Sequence, residues 1–121
     1  DLLVRLKNAN AIGRKSVRVP LSKMTAAFVE LLSKEGYVGA STHMQKSREI
    51  EVELKYEGNR PAVTDAKRVS RPSRRMYLGV RDLKPVRRGR GLLVLSTPKG
   101  LMTGRDAKRE RVGGEALFEL W

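Results

Sequence analysis

The sequence predicts an α+β protein of two small subdomains, an N-terminal αβαββ unit and a C-terminal, mostly β unit with one short helix. Three observations lead to this class. Residues 1–60 alternate between stretches with helical apolar spacing and stretches with strand spacing. Residues 70–91 are repeatedly interrupted by proline and glycine, which is typical of loops and short strands. The last 30 residues combine an apolar run, a capped helix and an alternating strand. We place the subdomains at residues 1–66 and 67–121.

The N-terminal half begins with two predicted helices separated by a short strand. Apolar residues recur at helical spacing from Leu2 to Ala9, and Gly13 is a natural stop. The segment "SVRVP" alternates two valines and predicts the strand. Ser22 is the expected N-cap of the second helix, which ends at Gly36. The expected buried stripe of this helix is Met24, Ala27, Phe28, Leu31 and Leu32.

The segment "REIEVELKY" predicts the best-defined strand, because apolar and charged residues alternate strictly from Glu49 to Tyr56. The segment "EGNRP" predicts a turn, and "AVTDAKRVS" is interpreted as the hairpin partner of this strand. His43, the single histidine, is expected in an exposed loop beside a helix end. The glutamate face of the strand should point away from any polyanion.

The C-terminal half ends with three predicted elements. The run "LLVL" indicates a short buried strand. Thr103 begins a T-x-x-D pattern that is typical of a capped helix, here expected from about Gly104 to Arg111 and stopped by the Gly113–Gly114 pair. The segment "EALFELW" predicts a final strand with Ala116, Phe118 and Leu120 on one face.

The charge of the chain indicates a polyanionic partner. The 121 residues carry 26 Lys and Arg against 13 Asp and Glu, a net charge of +13. Residues 61–121 contribute 15 of the cations and 6 of the acids, so the partner is expected mainly on the second half. The longest apolar runs fall far short of the roughly 20 residues of a membrane span. We therefore expect nucleic acid rather than a membrane as the partner.

Catalysis is not predicted. With one histidine and no cysteine, the sequence offers no metal-site spacing and no thiol chemistry. The carboxylates of the central strand alternate on one face, as solvated side chains usually do. The segments "GRGLLV" and "STPKG" miss the dinucleotide and phosphate-loop patterns. We expect no enzyme activity, no cofactor, no metal and no small-molecule substrate, and an enzyme such as a nuclease is the disfavoured alternative.

The segment "STPKG" allows two interpretations of equal weight. Ser96 and Thr97 could offer hydroxyls to ribose and base edges, with Lys99 on a phosphate, Gly100 allowing close approach, and the helix N-terminus behind Thr103 adding N–H groups. The same residues could form a plain turn whose hydroxyls bind local backbone. The basic segments nearby add candidate phosphate contacts, among them Arg88, Arg90 and Arg105, and Tyr77 is a candidate ring for base stacking or a core residue.

Five segments together resemble one family. They are "DLLVRLKNAN", "SKEGYV", "RVSRPSRRMY", "GRGLLVLSTPKGLMTGRDA" and "VGGEALFELW", in the order in which that family has them. The family is the bacterial-type small-subunit ribosomal protein eight, and the resemblance covers nearly the whole chain. It implies a non-catalytic ribosomal protein of translation that binds the central domain of small-subunit rRNA, supports platform assembly and contacts neighbouring small-subunit proteins. The RNA-contact residues it implies are Ser96, Thr97, Lys99, Gly100, Arg71, Arg75, Tyr77 and Glu115, and Pro72 fits the family's R-P-x-x-R-x-Y segment.

The chain departs from the family pattern at a few positions. Pro98 replaces a third hydroxyl, Gly104 replaces an aspartate, and Ser73-Arg74 replaces Gly-Leu. These departures suggest altered RNA contacts and a divergent ribosome, in an organelle (a mitochondrion before a plastid) or in a bacterial cytoplasm. The alternative function that still involves nucleic-acid binding is that of a regulator, which binds mRNA outside the ribosome.

Overall fold

The computed structural model describes residues 2–121 and divides into two units, Asp1–Thr64 and Asp65–Trp121. The boundary predicted from sequence lies two residues later. The chain is a mixture of few helices and mostly antiparallel sheets, which confirms the α+β class. The first unit contains α1 (Leu2–Ala11), β1 (Ser16–Pro20), α2 (Lys23–Lys34), β2 (Val38–Met44), β3 (Glu49–Leu54), β4 (Tyr56–Glu57) and β5 (Arg60–Pro61).

The first unit is built on an antiparallel sheet of order β1-β3-β2. Ile50, Val52 and Leu54 of β3 are buried, as the alternation predicts, because α1 contacts β1 and α2 contacts β2 on the apolar side. The glutamates of β3 occupy the opposite face and are half-buried or exposed. The alternating pattern therefore identified both the strand and its buried face.

Helix α2 begins as predicted but buries a different stripe. The Ser22 Oγ accepts a hydrogen bond of 3.0 Å from the Thr25 backbone N–H, which makes Ser22 the N-cap. The buried residues are Val29 and Leu32, whereas Met24 is 54% exposed. At about 100° per residue, Met24 lies about 140° from Val29 around the helix axis. The predicted stripe was therefore wrong at Met24 and missed Val29.

Two predictions about strands were wrong. His43 lies in β2 and not in a loop, although its side chain is exposed as expected. The segment 62–70 is not the hairpin partner of β3, because β3 pairs with β1 and β2. Part of that segment, β6 (Ala66–Arg68), pairs instead with the last strand of the chain. Chain neighbours often pair, but here the long-range partner prevails.

The second unit contains β6, β7 (Tyr77–Leu78), β8 (Leu92–Thr97), β9 (Gly100–Thr103), α3 (Gly104–Arg109) and β10 (Gly114–Leu120). Its sheet has the order β6-β10-β8-β9, and β7 also pairs with β10. Strand β9 was not predicted. One core of this unit consists of Leu83, Leu93, Leu95, Met102, Ala107 and Ala116.

The start of α3 and the face of β10 follow the sequence pattern, whereas α3 ends at Arg109, two residues before the predicted end and well before the glycine pair. The Thr103 Oγ1 accepts a 3.0 Å hydrogen bond from the Asp106 N–H, so the predicted cap is confirmed. Ala116, Phe118 and Leu120 are buried, as predicted. A β-bulge at Leu117 shifts the register between Ala116 and Phe118. The bulge places Glu115 opposite Ser96 at one end of β10 while Leu120 remains opposite Leu92 at the other.

Candidate nucleic-acid interface

Three strands of the second unit bring a row of polar side chains together. Glu115 on β10 pairs with Tyr77 on β7 and with Ser96 on β8. Residues that pair directly on neighbouring strands project from the same face of a sheet. Tyr77 is 70% exposed, and Ser96 and Glu115 are half-buried. We call Tyr77, Glu115, Ser96 and the nearby Arg75 the Ser96 surface.

The paired glycines before Glu115 allow the backbones of these strands to approach closely. A Cβ at Gly114 would lie 2.2 Å from the Ser96 carbonyl oxygen, and one at Gly113 would lie 2.4 Å from the Leu78 carbonyl oxygen. Real Cβ atoms do not approach oxygen this closely, so any side chain here would push the strands apart. The "VGGE" segment therefore fixes the spacing between β7, β10 and β8 at the Ser96 surface.

The two hydroxyls of "STPKG" have different roles. The Thr97 Oγ1 donates to the Gly100 carbonyl at 2.8 Å and accepts from the Lys99 N–H at 3.1 Å. Thr97 is also buried, so its hydroxyl closes the turn. The Ser96 hydroxyl has no hydrogen-bond partner within residues 2–121. The turn interpretation therefore holds for Thr97, and Ser96 alone offers a free hydroxyl.

The turn between β8 and β9 presents Lys99 and Gly100 to solvent. Gly100 has a φ of 105°, in the region that only glycine adopts without strain. The Lys99 Nζ lies 3.4 Å from the Glu110 carboxylate, and both side chains are about half exposed. An ion pair this exposed contributes little and is screened by salt, so Lys99 remains available to a phosphate.

Arg75 and Glu115 form the ion pair of the Ser96 surface. The Arg75 Nη1 donates to both Glu115 carboxylate oxygens at 3.4 Å. The Glu115 side chain is 14% exposed and that of Arg75 is 59% exposed. Only one guanidinium nitrogen is engaged with the carboxylate. The remaining donors of Arg75 can therefore bind an anion while Glu115 holds its position.

A serine that sequence reasoning did not select shapes the neighbouring arginine loop. The buried Ser70 Oγ accepts from the Met76 N–H at 2.8 Å and donates to the Met76 carbonyl at 3.4 Å. Within the loop, Arg71 and Arg74 exchange two backbone hydrogen bonds of 2.9 and 3.0 Å. Arg71, Pro72 and Arg74 are all exposed. In the sequence this serine lies in "RVSRP", between valine and arginine, where no local pattern distinguishes it.

The other candidate residues lie away from the Ser96 surface. Arg88 and Arg90 precede the first residue of β8, whereas Ser96 lies near its end, about 13 Å away at ~3.3 Å per residue. Arg105 follows Thr103, and β9 separates it from the Gly100 turn by about 10 Å. The expectation that the start of α3 adjoins "STPKG" was therefore wrong, because the unpredicted strand β9 intervenes.

Neither a metal-binding cluster nor a membrane-spanning helix occurs among residues 2–121. Within residues 2–121, three or more His, Cys, Asp or Glu side chains nowhere come together in a group that could hold a metal ion. Across the same residues, every helix is too short or too polar to cross a membrane.

Comparison with known proteins shows the class of protein that this chain resembles. Relatives named small ribosomal subunit protein uS8 match the whole of this chain. The match extends over 94% of the length of each relative. The relative from Mycoplasmopsis agalactiae is 42% identical, and that from Bradyrhizobium sp. (strain ORS 278) is 44% identical. One from Rhodopseudomonas palustris (strain BisB5) is 42% identical, also over the whole chain. These relatives are ribosomal proteins.

The family model "Ribosomal protein S8" matches residues 1–121. The chain belongs to the ribosomal protein S8 family, whose members are structural proteins of the small ribosomal subunit and not enzymes. The resemblance inferred from the five segments is therefore confirmed, and so is the prediction that the chain is not an enzyme.

Proposed function

We propose that the chain is a component of the small ribosomal subunit that binds the central domain of its rRNA through the Ser96 surface and the Thr97–Gly100 turn. The observation that carries this proposal is the free Ser96 hydroxyl, which lies in one row with Glu115 and Tyr77. Family membership supports the ribosomal setting. The bacterial relatives support a ribosome of bacterial type, in a bacterium or in an organelle.

The chemistry of the surface suits RNA. A serine hydroxyl both donates and accepts, as ribose 2′-hydroxyls and base edges in the shallow minor groove require. The exposed Tyr77 ring offers a face on which an unpaired base can stack. Arg75 and Lys99 have free donors for phosphate oxygens. The surface therefore combines shape recognition with phosphate contact.

The charge of the second unit supplies affinity. Residues 65–121 carry 15 Lys and Arg against 6 Asp and Glu. Such an excess attracts a polyanion over several ångströms and releases counterions on binding, which makes affinity fall steeply with salt. Through this binding the protein would hold the central domain in the form that platform assembly and neighbouring small-subunit proteins require.

The test is a salt-titrated binding assay with a transcript of the central domain of a bacterial small-subunit rRNA. An unrelated duplex of equal length serves as the control RNA. We expect Ser96→Ala to weaken binding to the central domain by about 5–30-fold, the loss of one or two hydrogen bonds, without changing the salt slope. Equal affinity of the native protein for both RNAs would contradict the proposal. Co-sedimentation with the small subunit separates a ribosomal component from an mRNA regulator.

A further inference from the structure

An arginine-rich loop at the start of β8 has an unusual backbone. Arg87 has φ 48° and ψ 45°, and Arg88 has φ 57° and ψ 35°. Gly89 follows with φ 89°. Residues with a Cβ rarely adopt this left-handed region, and two in succession are costly. A turn of this shape normally uses Asn-Gly or Gly-Gly, so two arginines here incur strain that a turn alone does not require.

The rest of the unit holds this loop in place. The Arg87 guanidinium carbon lies 4.0 Å from the centre of the Trp121 ring. Trp121 is itself fixed by two backbone hydrogen bonds of 3.0 Å to Asp65. At the other end of the loop, the Gly91 N–H donates to the Val86 carbonyl at 3.1 Å. A Cβ at Gly91 would lie 2.5 Å from the Val86 side chain, so the closure requires glycine there. The loop is therefore anchored to the sheet.

Two arginines of the loop have no carboxylate partner among residues 2–121. Arg75 and Lys99 near the Ser96 surface pair with carboxylates, as does Arg109. Within residues 2–121, Arg88 and Arg90 are exposed and form no ion pair with a carboxylate. Two unpaired guanidiniums on an anchored turn offer more charge and more hydrogen-bond donors to a phosphate backbone than a single flexible side chain does.

We propose that residues 86–91 form a second RNA-contact surface, separate from the Ser96 surface, that binds the phosphate backbone through Arg88 and Arg90. Arg87 is a positioning residue, because its stacking on Trp121 keeps the turn left-handed. This inference rests on the proposed RNA binding and adds that the contact has two parts at opposite ends of β8. The surface contributes affinity for RNA and does not select one RNA sequence over another, because phosphate contacts carry no sequence information.

The test uses the full chain and a matched control elsewhere. Arg48 in the first unit is also exposed and has a φ of 53°, so Arg48→Gly removes the same charge and the same backbone strain as Arg88→Gly. Binding to the central-domain transcript is measured over a range of salt concentrations, with thermal unfolding in parallel. We expect Arg88→Gly to preserve or raise the melting temperature. The negative slope of log K against log salt should become shallower by about 0.7–0.9, which corresponds to the loss of one phosphate contact. Arg48→Gly should leave the slope unchanged.

Two further variants and two contrary outcomes decide the proposal. Arg88→Lys should restore most of the slope, because it returns the charge. Arg87→Ala should reduce binding less than Arg88→Gly at low salt, where a lost phosphate contact shows most. The Trp121 fluorescence should be less quenched in Arg87→Ala than in the native protein, because the guanidinium no longer lies over the ring. An unchanged slope in Arg88→Gly, or an equal loss in Arg48→Gly, would overturn the second surface while leaving the proposed function intact. Failure of the native protein to prefer the central domain would instead overturn the proposed function.

Discussion

Glu115 holds Arg75 by one guanidinium nitrogen while lying directly opposite Ser96 on the next strand. A carboxylate in the middle of a surface that should meet phosphate is electrostatically unfavourable. The carboxylate orients Arg75, and we expect it to repel an anion placed wrongly. We therefore expect the pair to link the geometry of the surface to discrimination among RNAs.

Replacing the carboxylate tests this link. Glu115→Gln keeps the shape of the side chain and removes its charge, so repulsion of misplaced phosphates is lost. We expect affinity for an unrelated duplex to rise about 3–10-fold, as the removal of one like-charge contact predicts, while affinity for the central domain changes less. Parallel titrations with both RNAs measure the ratio of the affinity for the central domain to the affinity for the unrelated duplex. Discrimination equal to that of the native protein would show that Glu115 only positions Arg75.

Gly114→Ala should destabilise the second unit. Its Cβ would lie 2.2 Å from the Ser96 carbonyl oxygen, so β10 and β8 would have to separate. Overpacking of this kind costs about 1–3 kcal/mol of unfolding free energy. The matched control is Gly79→Ala in the same unit, where the nearest atom, an Asp82 carboxylate oxygen, lies 3.4 Å away. Chemical denaturation of both variants gives the comparison, and equal costs would contradict the close-approach explanation.

Ser70→Ala should loosen the arginine loop. The variant loses both hydrogen bonds to Met76 and leaves the Met76 N–H without its partner. An N–H left unpaired in this partly buried site costs about 1 kcal/mol, at the low end of the range for buried groups. Ser73 lies exposed in the same loop, so Ser73→Ala is the control and should change stability by less than about 0.5 kcal/mol. Denaturant titration measures stability, and faster amide exchange at Met76 would report the loosened loop.

Thr97→Val should affect the turn rather than recognition. Valine keeps the shape of threonine but removes the hydroxyl that binds Gly100 and Lys99. We expect a loss of about 1–2 kcal/mol in stability, since two hydrogen bonds are lost at the edge of the unit. Ser96→Ala, whose hydroxyl has no partner in the chain, should leave stability nearly unchanged. A larger loss for Ser96→Ala would contradict the assignment of the two hydroxyls.

Local patterns predicted much of the fold, and long-range pairing accounts for what they missed. The strict alternation in β3 and the caps at Ser22 and Thr103 are local signals, and each was read correctly. Strand β2 was missed because only Val38 is buried at its start and its remaining residues are largely exposed. The partner of β6 could not be read locally, since it lies about 50 residues further along the chain.

In the candidate site, too, sequence motifs identified some residues, and long-range pairing accounts for what they missed. Family motifs pointed to Ser96 and Glu115, but their direct pairing depends on the bulge at Leu117, which has no local signature. The different roles of Ser96 and Thr97 follow from alternation along β8 combined with the tight turn. Ser70 was missed because a single serine between valine and arginine resembles any loop residue.

The last strand of the sheet sets the order in which the second unit can form during synthesis. Strand β10 pairs with β6, β7 and β8, so it holds together strands that do not otherwise all pair with one another. Until residues 114–120 have emerged from the synthesising ribosome, β6 and β7 lack the partner to which they pair. The second unit, with its unpaired arginines and its free serine, is therefore completed only after residues 114–120 have emerged, and the first unit can fold before it.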